Sequence, residues 1–173
     1  MKASKKSHRD FVDSIIEQLV EELPEAGAEA IEVIARFSRL STFLRKPVVD
    51  SVARHDLSQA EYNVLAALRR SGPPYHLAPS KVSRSMLFTS GGLTPVLDRL
   101  ESRGLIERKP DEADRRKLKV GLTEAGLLLH ARALDSHVEI SKKLTRVLSP
   151  EQLEQLNELL RIMMLTFEDP GVE

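Results

Sequence analysis

Apolar positions along most of this chain recur every three or four residues, which is the spacing of amphipathic helices. One such stripe covers residues 11–23 and stops at Pro24, which predicts a first helix. A second stripe begins after Gly27. We expect Pro47 to kink or break that helix near Phe43, because a proline removes the hydrogen bond to the carbonyl four residues back.

The middle of the chain carries local signals for two shorter helices. Ser58 and Glu61 have the spacing of a capping box, which predicts the start of a third helix over residues 58–70. The run Gly72-Pro73-Pro74 should stop it. Pro79 suits the first position of a short fourth helix, because a proline there loses no intrahelical hydrogen bond.

The stretch from residue 89 to 123 changes its pattern halfway. Its first part carries apolar residues at helical spacing up to Gly104, where a left-handed residue would end a helix. Two strand-like runs then follow, LIERK and KLKVGL, joined by the turn-forming and charged PDEADRR. A helix followed by a basic hairpin is the winged form of a helix-turn-helix, so this stretch predicts a DNA-binding unit.

Two further helices are predicted after the hairpin. Thr123 should cap the first, and a capping box of Ser149 and Gln152 should begin the second. Both carry more apolar surface than one small module can cover. This surplus favours a homodimer, although packing within one chain accounts for part of it.

We therefore expect a mainly α fold: a winged helix-turn-helix with a small β-hairpin wing, and a helical dimerisation region formed by the N- and C-terminal helices. The expected organisation is a single domain over residues 1–173. Its DNA-binding lobe would cover about 57–123, and its dimerisation region about 10–56 and 124–168.

Composition narrows the class further. The 173 residues are 41% hydrophobic and 30% charged, which is typical of a soluble globule. No apolar run reaches the roughly 18 residues of a membrane span, and no signal peptide opens the chain, so we expect a cytoplasmic protein without a membrane partner. The absence of cysteine excludes disulfides and thiol chemistry.

Charge favours DNA binding by its distribution and not by its total. The formal net charge is zero, but residues 79–119 contain ten Lys/Arg and six Asp/Glu. Such a local excess suits either a DNA-binding surface or a solvated face. The basic tail over residues 1–9 would be either a frayed end or an arm that contacts DNA.

At the stretch LTPVLDRLESRGLIERKPDEADRRKLKVGLTEAG the chain resembles the MarR family of winged-helix regulators. The motifs DRLE, GLIER, DRR and LTEAG occur in the order and spacing of that family. The resemblance implies a homodimer that binds pseudo-palindromic double-stranded operator DNA, usually as a repressor, and that releases it when a small aromatic ligand binds. The extra N-terminal helix is similar to a branch that includes urate-responsive members. The chain departs from that branch at Leu19, where a tryptophan is usual, and at Asn63, where an aspartate is frequent.

The residues predicted to contact DNA lie at the start of the recognition helix and at the hairpin tip. They are Thr89, Ser90, Gly91, Thr94, Arg99, Arg115, Arg116 and Lys117. Hydroxyl and glycine residues allow close approach to phosphates, but they also simply start helices. An arginine at the tip can enter a narrow minor groove, or the tip can be a solvated turn. Arg99 either contacts DNA or pairs with Glu101 or Asp98.

The resemblance also implies two further sites. Asp98 should accept a salt bridge from a wing arginine, Arg116, and so fix the wing to the recognition helix. A ligand crevice should lie between the dimerisation helices and the DNA-binding lobe. Residues predicted to line it, each of which is as readily plain core, are Phe37, Leu40, Tyr62 and Leu65.

No motif supports catalysis, a cofactor or a metal. His130 and His137 lie seven residues apart, whereas metal ligands on a helix use three- or four-residue spacing. No nucleophile elbow, phosphate-binding glycine loop or HExxH occurs. The alternatives to a ligand-released regulator are a winged helix that binds only proteins, and a DNA-binding regulator that needs no ligand. A small helical enzyme is the remaining rival.

Overall fold

The chain folds into two compact units, Met1–Pro47 and Val48–Glu173. A computed structural model describes residues 9–86, 92–111, 114 and 116–168. The elements in chain order are α1 (Phe11–Glu22), α2 (Ala28–Ala53), α3 (Gln59–Arg70), β1 (His76–Leu77), α4 (Pro79–Arg84), α5 (Leu93–Ser102), β2 (Ile106–Pro110), β3 (Leu118–Leu122), α6 (Glu124–Thr145) and α7 (Pro150–Glu168). The predicted mainly helical fold with a small wing is confirmed.

The first unit pairs α1 with the beginning of α2. Asp10 caps α1, and Arg36 of α2 reaches back to Asp10 at 2.9 Å and to Asp13 at 2.7 Å. The Arg39 guanidinium lies over the rings of Phe11 and Phe43. These contacts join the two helices by charge and by cation–π attraction at the ends of their apolar stripes.

Helix α2 does not end near Phe43. Of the predicted kink or break there, the break is wrong and the kink stays a prediction. The helix continues through Pro47 to Ala53. A proline inside a helix costs about 3 kcal/mol, because one hydrogen bond is lost and its ring crowds the preceding turn. Burial of residues that follow Pro47 in the helix offsets part of this cost, since Val52 is fully buried and contributes about 1.5–3 kcal/mol.

The core of the second unit is built around α3. Its predicted capping box is confirmed: Glu61 N donates to Ser58 Oγ at 3.2 Å, and Ser58 N donates to Glu61 Oε2 at 2.8 Å. Residues 61–68 of this helix are all buried. They pack with apolar residues of α2, α4, α5, α6 and the sheet. Helix α3 is therefore the support on which the other elements are placed.

The wing is part of a three-stranded antiparallel sheet with strand order β1-β3-β2. The hairpin was predicted, but β1 was not. In the register His76 and Glu107 lie on either side of Gly121, so the three form one row across the sheet. A Cβ added at Gly121 would overlap the His76 imidazole. The histidine side chain therefore crosses the sheet above a position that only glycine fits.

The last two helices begin where their capping residues predict. Thr123 Oγ1 accepts from Gly126 N at 3.0 Å at the start of α6. Ser149 N donates to Gln152 Oε1 at 2.9 Å at the start of α7. No residue of α7 is buried. Its apolar residues are instead at the surface, among them Leu159, Ile162, Leu165 and Phe167.

Candidate nucleic-acid interface

Helix α5 is the candidate recognition helix, and its two faces differ sharply. Val96, Leu97 and Leu100 are buried against the core. Its C-terminus closes at Gly104, which has a φ of +67° and donates to Glu101 O at 2.8 Å. The glycine is needed there because other residues rarely adopt a left-handed backbone. This anchoring leaves the opposite face of α5 exposed.

The wing is fixed to α5 by Arg108, not by Arg116. Arg108 Nη2 lies 2.6 Å from Asp98 Oδ1, and Arg108 Nη1 lies 2.6 Å from Glu101 Oε2. The prediction that Asp98 pairs with Arg116 is therefore wrong. Arg108 lies in the middle of β2, the strand that packs against α5, whereas Arg116 belongs to the hairpin tip and pairs with Asp114. The strand register, and not the number of arginines in the hairpin, selects the partner.

On its other side α5 meets a buried carboxylate. Glu61 of α3 is only 6% exposed, and its Oε1 lies 3.6 Å from Arg99 Nε and 3.5 Å from Arg103 Nη1. Burial alone would raise the pKa of the Glu61 carboxyl. Hydrogen bonds from Ser58 and the charges of the two arginines outweigh burial and lower that pKa below its ordinary value. Glu61 is thus a carboxylate at neutral pH.

The hairpin tip presents basic side chains to solvent. The Arg116 side chain is 93% exposed and that of Lys117 is 75% exposed. Of the hairpin residues that the structure describes, Asp114 pairs with each of them, with 3.4 Å between the charged atoms. Exposed ion pairs of this kind contribute at most about 1 kcal/mol, so a phosphate can displace Asp114 at little cost.

Four of the residues predicted to contact DNA, Thr89, Ser90, Gly91 and Arg115, lie outside the described residues. The other four are Thr94, Arg99, Arg116 and Lys117, all of them exposed. Thr94 lies in the first turn of α5, and Arg99 lies in its last turn.

The residues predicted for the ligand crevice fall in different units. Phe37 and Leu40 belong to the first unit, and Tyr62 and Leu65 to the second. Leu65 is fully buried in the apolar core. Tyr62 is also buried and lies against two histidines of α6, with ring centroids 5.8 Å from His130 and 5.3 Å from His137. The crevice itself stays a prediction.

Among the described residues, no cluster of His, Asp or Glu is arranged to hold a metal ion. None of the helices within the described ranges is long and apolar enough to cross a membrane.

The sequence did not predict two residues at this interface, Arg108 and Arg103, or the second role of Glu61. Glu61 was recognised only as a helix cap, because its partners come from an element about forty residues away. Arg108 had a usable signal. It is the fourth residue of the predicted strand LIERK and the central residue of β2, where a long cation can reach a helix packed beside the strand.

Comparison with known proteins agrees with this geometry. The family model described as MarR family matches residues 55–117. The chain is 34% identical over 149 residues to the HTH-type transcriptional regulator PecS of Dickeya dadantii, which covers 86% of this chain and 90% of PecS. PecS is a transcriptional regulator and not an enzyme, and the same holds for two relatives from Bacillus subtilis, the organic hydroperoxide resistance transcriptional regulator and MhqR.

Solved structures show the same fold. Sco3205 from Streptomyces coelicolor, a MarR family regulator solved in complex with DNA, gives a TM-score of 0.72 at 23% identity over 84% of this chain and 94% of that one. BpsR of Bordetella bronchiseptica, whose DNA binding is regulated by 6-hydroxynicotinic acid, gives a TM-score of 0.61 at 26% identity over 73% of this chain and 91% of that one. The chain belongs to the MarR family of winged-helix, DNA-binding transcriptional regulators.

Proposed function

We propose that this regulator is a homodimeric repressor that acts in the cytoplasm and leaves a pseudo-palindromic operator when a small aromatic ligand binds. The observation that carries the DNA-binding part is the exposed face of α5 beside the exposed cations of the wing tip, Arg116 and Lys117. The two α5 helices of a dimer would enter successive major grooves about 34 Å apart. The wing tips would reach the flanking minor grooves, where Arg116 meets the deepest negative potential.

The apolar surface of α7 supports the homodimer. Leu159 is 62% exposed, Ile162 54% and Phe167 81%. Soluble monomers rarely expose apolar patches of more than a few hundred Å². A second copy of the chain would cover these side chains, and the symmetry of that dimer would match the symmetry of the operator. The terminal helices thus set the distance between the two recognition helices.

The ligand-response part is supported by kinship with BpsR, whose DNA binding responds to an aromatic acid. A ligand lowers DNA affinity only if it binds the DNA-free arrangement of the dimer more tightly than the DNA-bound one. A difference of about 1–3 kcal/mol is a typical coupling and would weaken operator binding about 5- to 150-fold. In the second unit, Tyr62 is the proposed contact.

The test begins with DNA selected by the chain itself from a library of randomised duplexes. We expect the selected duplex to be pseudo-palindromic, and light scattering to show a dimer free in solution and bound to the duplex. Anisotropy titrations with 6-hydroxynicotinate and other aromatic acids then test release. Selection of no duplex would contradict DNA recognition. Selection of a duplex that no such acid releases would instead indicate a ligand-independent regulator.

A further inference from the structure

Ion pairs hold helix α5 on two sides, and the numbers of cations and carboxylates are reversed between the two sides. On the wing side one cation, Arg108, binds two carboxylates of α5. On the α3 side one carboxylate, Glu61, faces two cations, Arg99 and Arg103, one turn apart on α5 and its C-cap. Two such contacts on opposite flanks restrict rotation of the helix about its own axis, in addition to the packing of its buried apolar face.

The two oxygens of Glu61 have separate tasks. Oε2 accepts hydrogen bonds from Ser58 N at 2.8 Å and Ser58 Oγ at 2.7 Å, which completes the cap of α3. Oε1 is left for the two arginines. A buried carboxylate needs partners because water cannot solvate it, and the arginines supply them. The cap fixes the carboxylate, and the carboxylate in turn fixes the arginines.

Arg99 meets Glu61 through Nε, the guanidinium nitrogen nearest to its backbone. Its side chain remains 56% exposed, so the two outer nitrogens stay accessible. Those nitrogens form the planar fork that binds a phosphate or the acceptor edge of a guanine with two hydrogen bonds. Arg103 differs, because its side chain is less exposed and it also donates to Asp56 O at 2.8 Å. Arg103 therefore anchors the end of α5.

We propose that Glu61 is a positioning residue for DNA recognition: from the core it aims Arg99 at the groove and, with Arg103, sets the rotation of α5. This inference rests on the proposed function, since it requires that α5 reads DNA. Its effect is on specificity. A misdirected guanidinium still attracts phosphates, but it no longer makes paired hydrogen bonds to one site.

The direction in which Glu61→Gln changes DNA affinity distinguishes a positioning role of Glu61 from a simple effect of its charge. Glu61→Gln keeps the cap, because glutamine also serves at this position of a capping box. It removes one negative charge near DNA, which by itself would strengthen binding to any duplex. We expect the opposite for the selected duplex: affinity falls about tenfold, while affinity for a scrambled duplex changes less than about twofold.

The experiment is a double-mutant cycle of Glu61→Gln and Arg99→Ala, read by anisotropy on the selected and the scrambled duplex. In the Arg99→Ala background, we expect Glu61→Gln to lower the affinity for the selected duplex less than about twofold, because the two residues act as one unit. Ser58→Ala is the comparison, since it removes the Oγ hydrogen bond to Glu61 but keeps the backbone hydrogen bond and the charge, so it should lower the ratio of the two affinities by less than Glu61→Gln does. An equal loss in both Arg99 backgrounds would overturn the inference.

A second variant keeps the inference testable if Glu61→Gln fails to fold. In Arg99→Lys a single nitrogen must serve both Glu61 and DNA. We therefore expect the logarithm of the affinity for the selected duplex to fall by at least half as much as it falls in Arg99→Ala. Lysine that binds the selected duplex like arginine overturns the positioning role. A wild-type chain that selects no duplex overturns the proposed function itself, together with this inference.

Discussion

The row His76–Gly121–Glu107 makes a sharp test of how the wing sheet is packed. The His76 ring occupies the place where a side chain at Gly121 would begin, and its Nε2 lies 3.6 Å from Glu107 Oε1. We predict that Gly121→Ala forces the ring aside or bends β3 away from β1. The alanine variant should therefore be less stable, although alanine is ordinarily preferred to glycine inside a strand.

The expected magnitude follows from two opposing terms. Overpacking by one methyl in a filled site costs about 1–3 kcal/mol. Reduced freedom of the unfolded chain returns about 0.4–1 kcal/mol. The difference between the two terms is a net loss of up to about 2.6 kcal/mol; its central value, about 1.3 kcal/mol, lowers the melting temperature by about 3–5 °C for a chain of this length. Urea unfolding followed by circular dichroism measures it.

The decisive comparison is in a His76→Ala background. The obstacle to the new methyl is a side chain, so its removal should make Gly121→Ala neutral or slightly stabilising. The coupling between the two substitutions should equal the relieved overpacking cost, about 1–3 kcal/mol. If Gly121→Ala is as destabilising without the imidazole as with it, the ring is not what excludes a side chain, and the reasoning from this close approach fails.

The remaining predictions concern the recognition helix, its support and its core. Arg108→Ala should weaken binding to the selected duplex about tenfold, because it leaves two α5 carboxylates unpaired. Arg116→Ala should instead weaken binding to all duplexes and lower the slope of log affinity against log salt concentration by about 1. Anisotropy titrations at several salt concentrations distinguish the two variants, and matching salt profiles would contradict the assignment. Gly126→Ala should lower the urea midpoint in every background, because its methyl would meet the carbonyl oxygen of Leu105, which no substitution removes. Burial and nearby arginine charges lower the pKa of His130, so its stabilising contribution should be complete above about pH 6.5 and be lost as pH falls towards the folded-state pKa. The urea midpoint of His130→Phe should fall less over that interval, and an identical pH profile would contradict this.

Helix starts could be predicted from the sequence because their signals are local. Ser58 with Glu61, and Ser149 with Gln152, each place donor and acceptor within one turn, so the residues themselves determine the geometry. Strand β1 could not be found this way. It has two residues and no alternation, and it exists because His76 and Leu77 pair with β3. The continuation of α2 through Pro47 likewise depends on burial beyond the proline, which the local propensity does not contain.

The partner of Asp98 shows a different limit. The hairpin offers several arginines, and motif order alone favoured one at the tip, Arg116. The choice depends on which strand residue faces α5, and that follows from the pairing of β2 with β3, in which Arg108 lies opposite Val120. An ion pair between two elements can thus be predicted only when the strand register is known, whereas a helix cap lies within one element and does not depend on the register.

The distribution of ion pairs also explains how a chain of zero net charge can present a basic surface. On α5 the acids Asp98 and Glu101 are bound by Arg108, and the buried Glu61 acts on the inner nitrogen of Arg99. Salt screens exposed charges beyond about 8 Å, so DNA responds to the charges nearest to it and not to the total. Nearest to it in the proposed complex are the outer nitrogens of Arg99 and the Arg116 side chain, 93% exposed at the wing tip. In that proposed complex Asp98, Glu101 and Glu61 orient α5, and the cations that remain outward carry the attraction to phosphate.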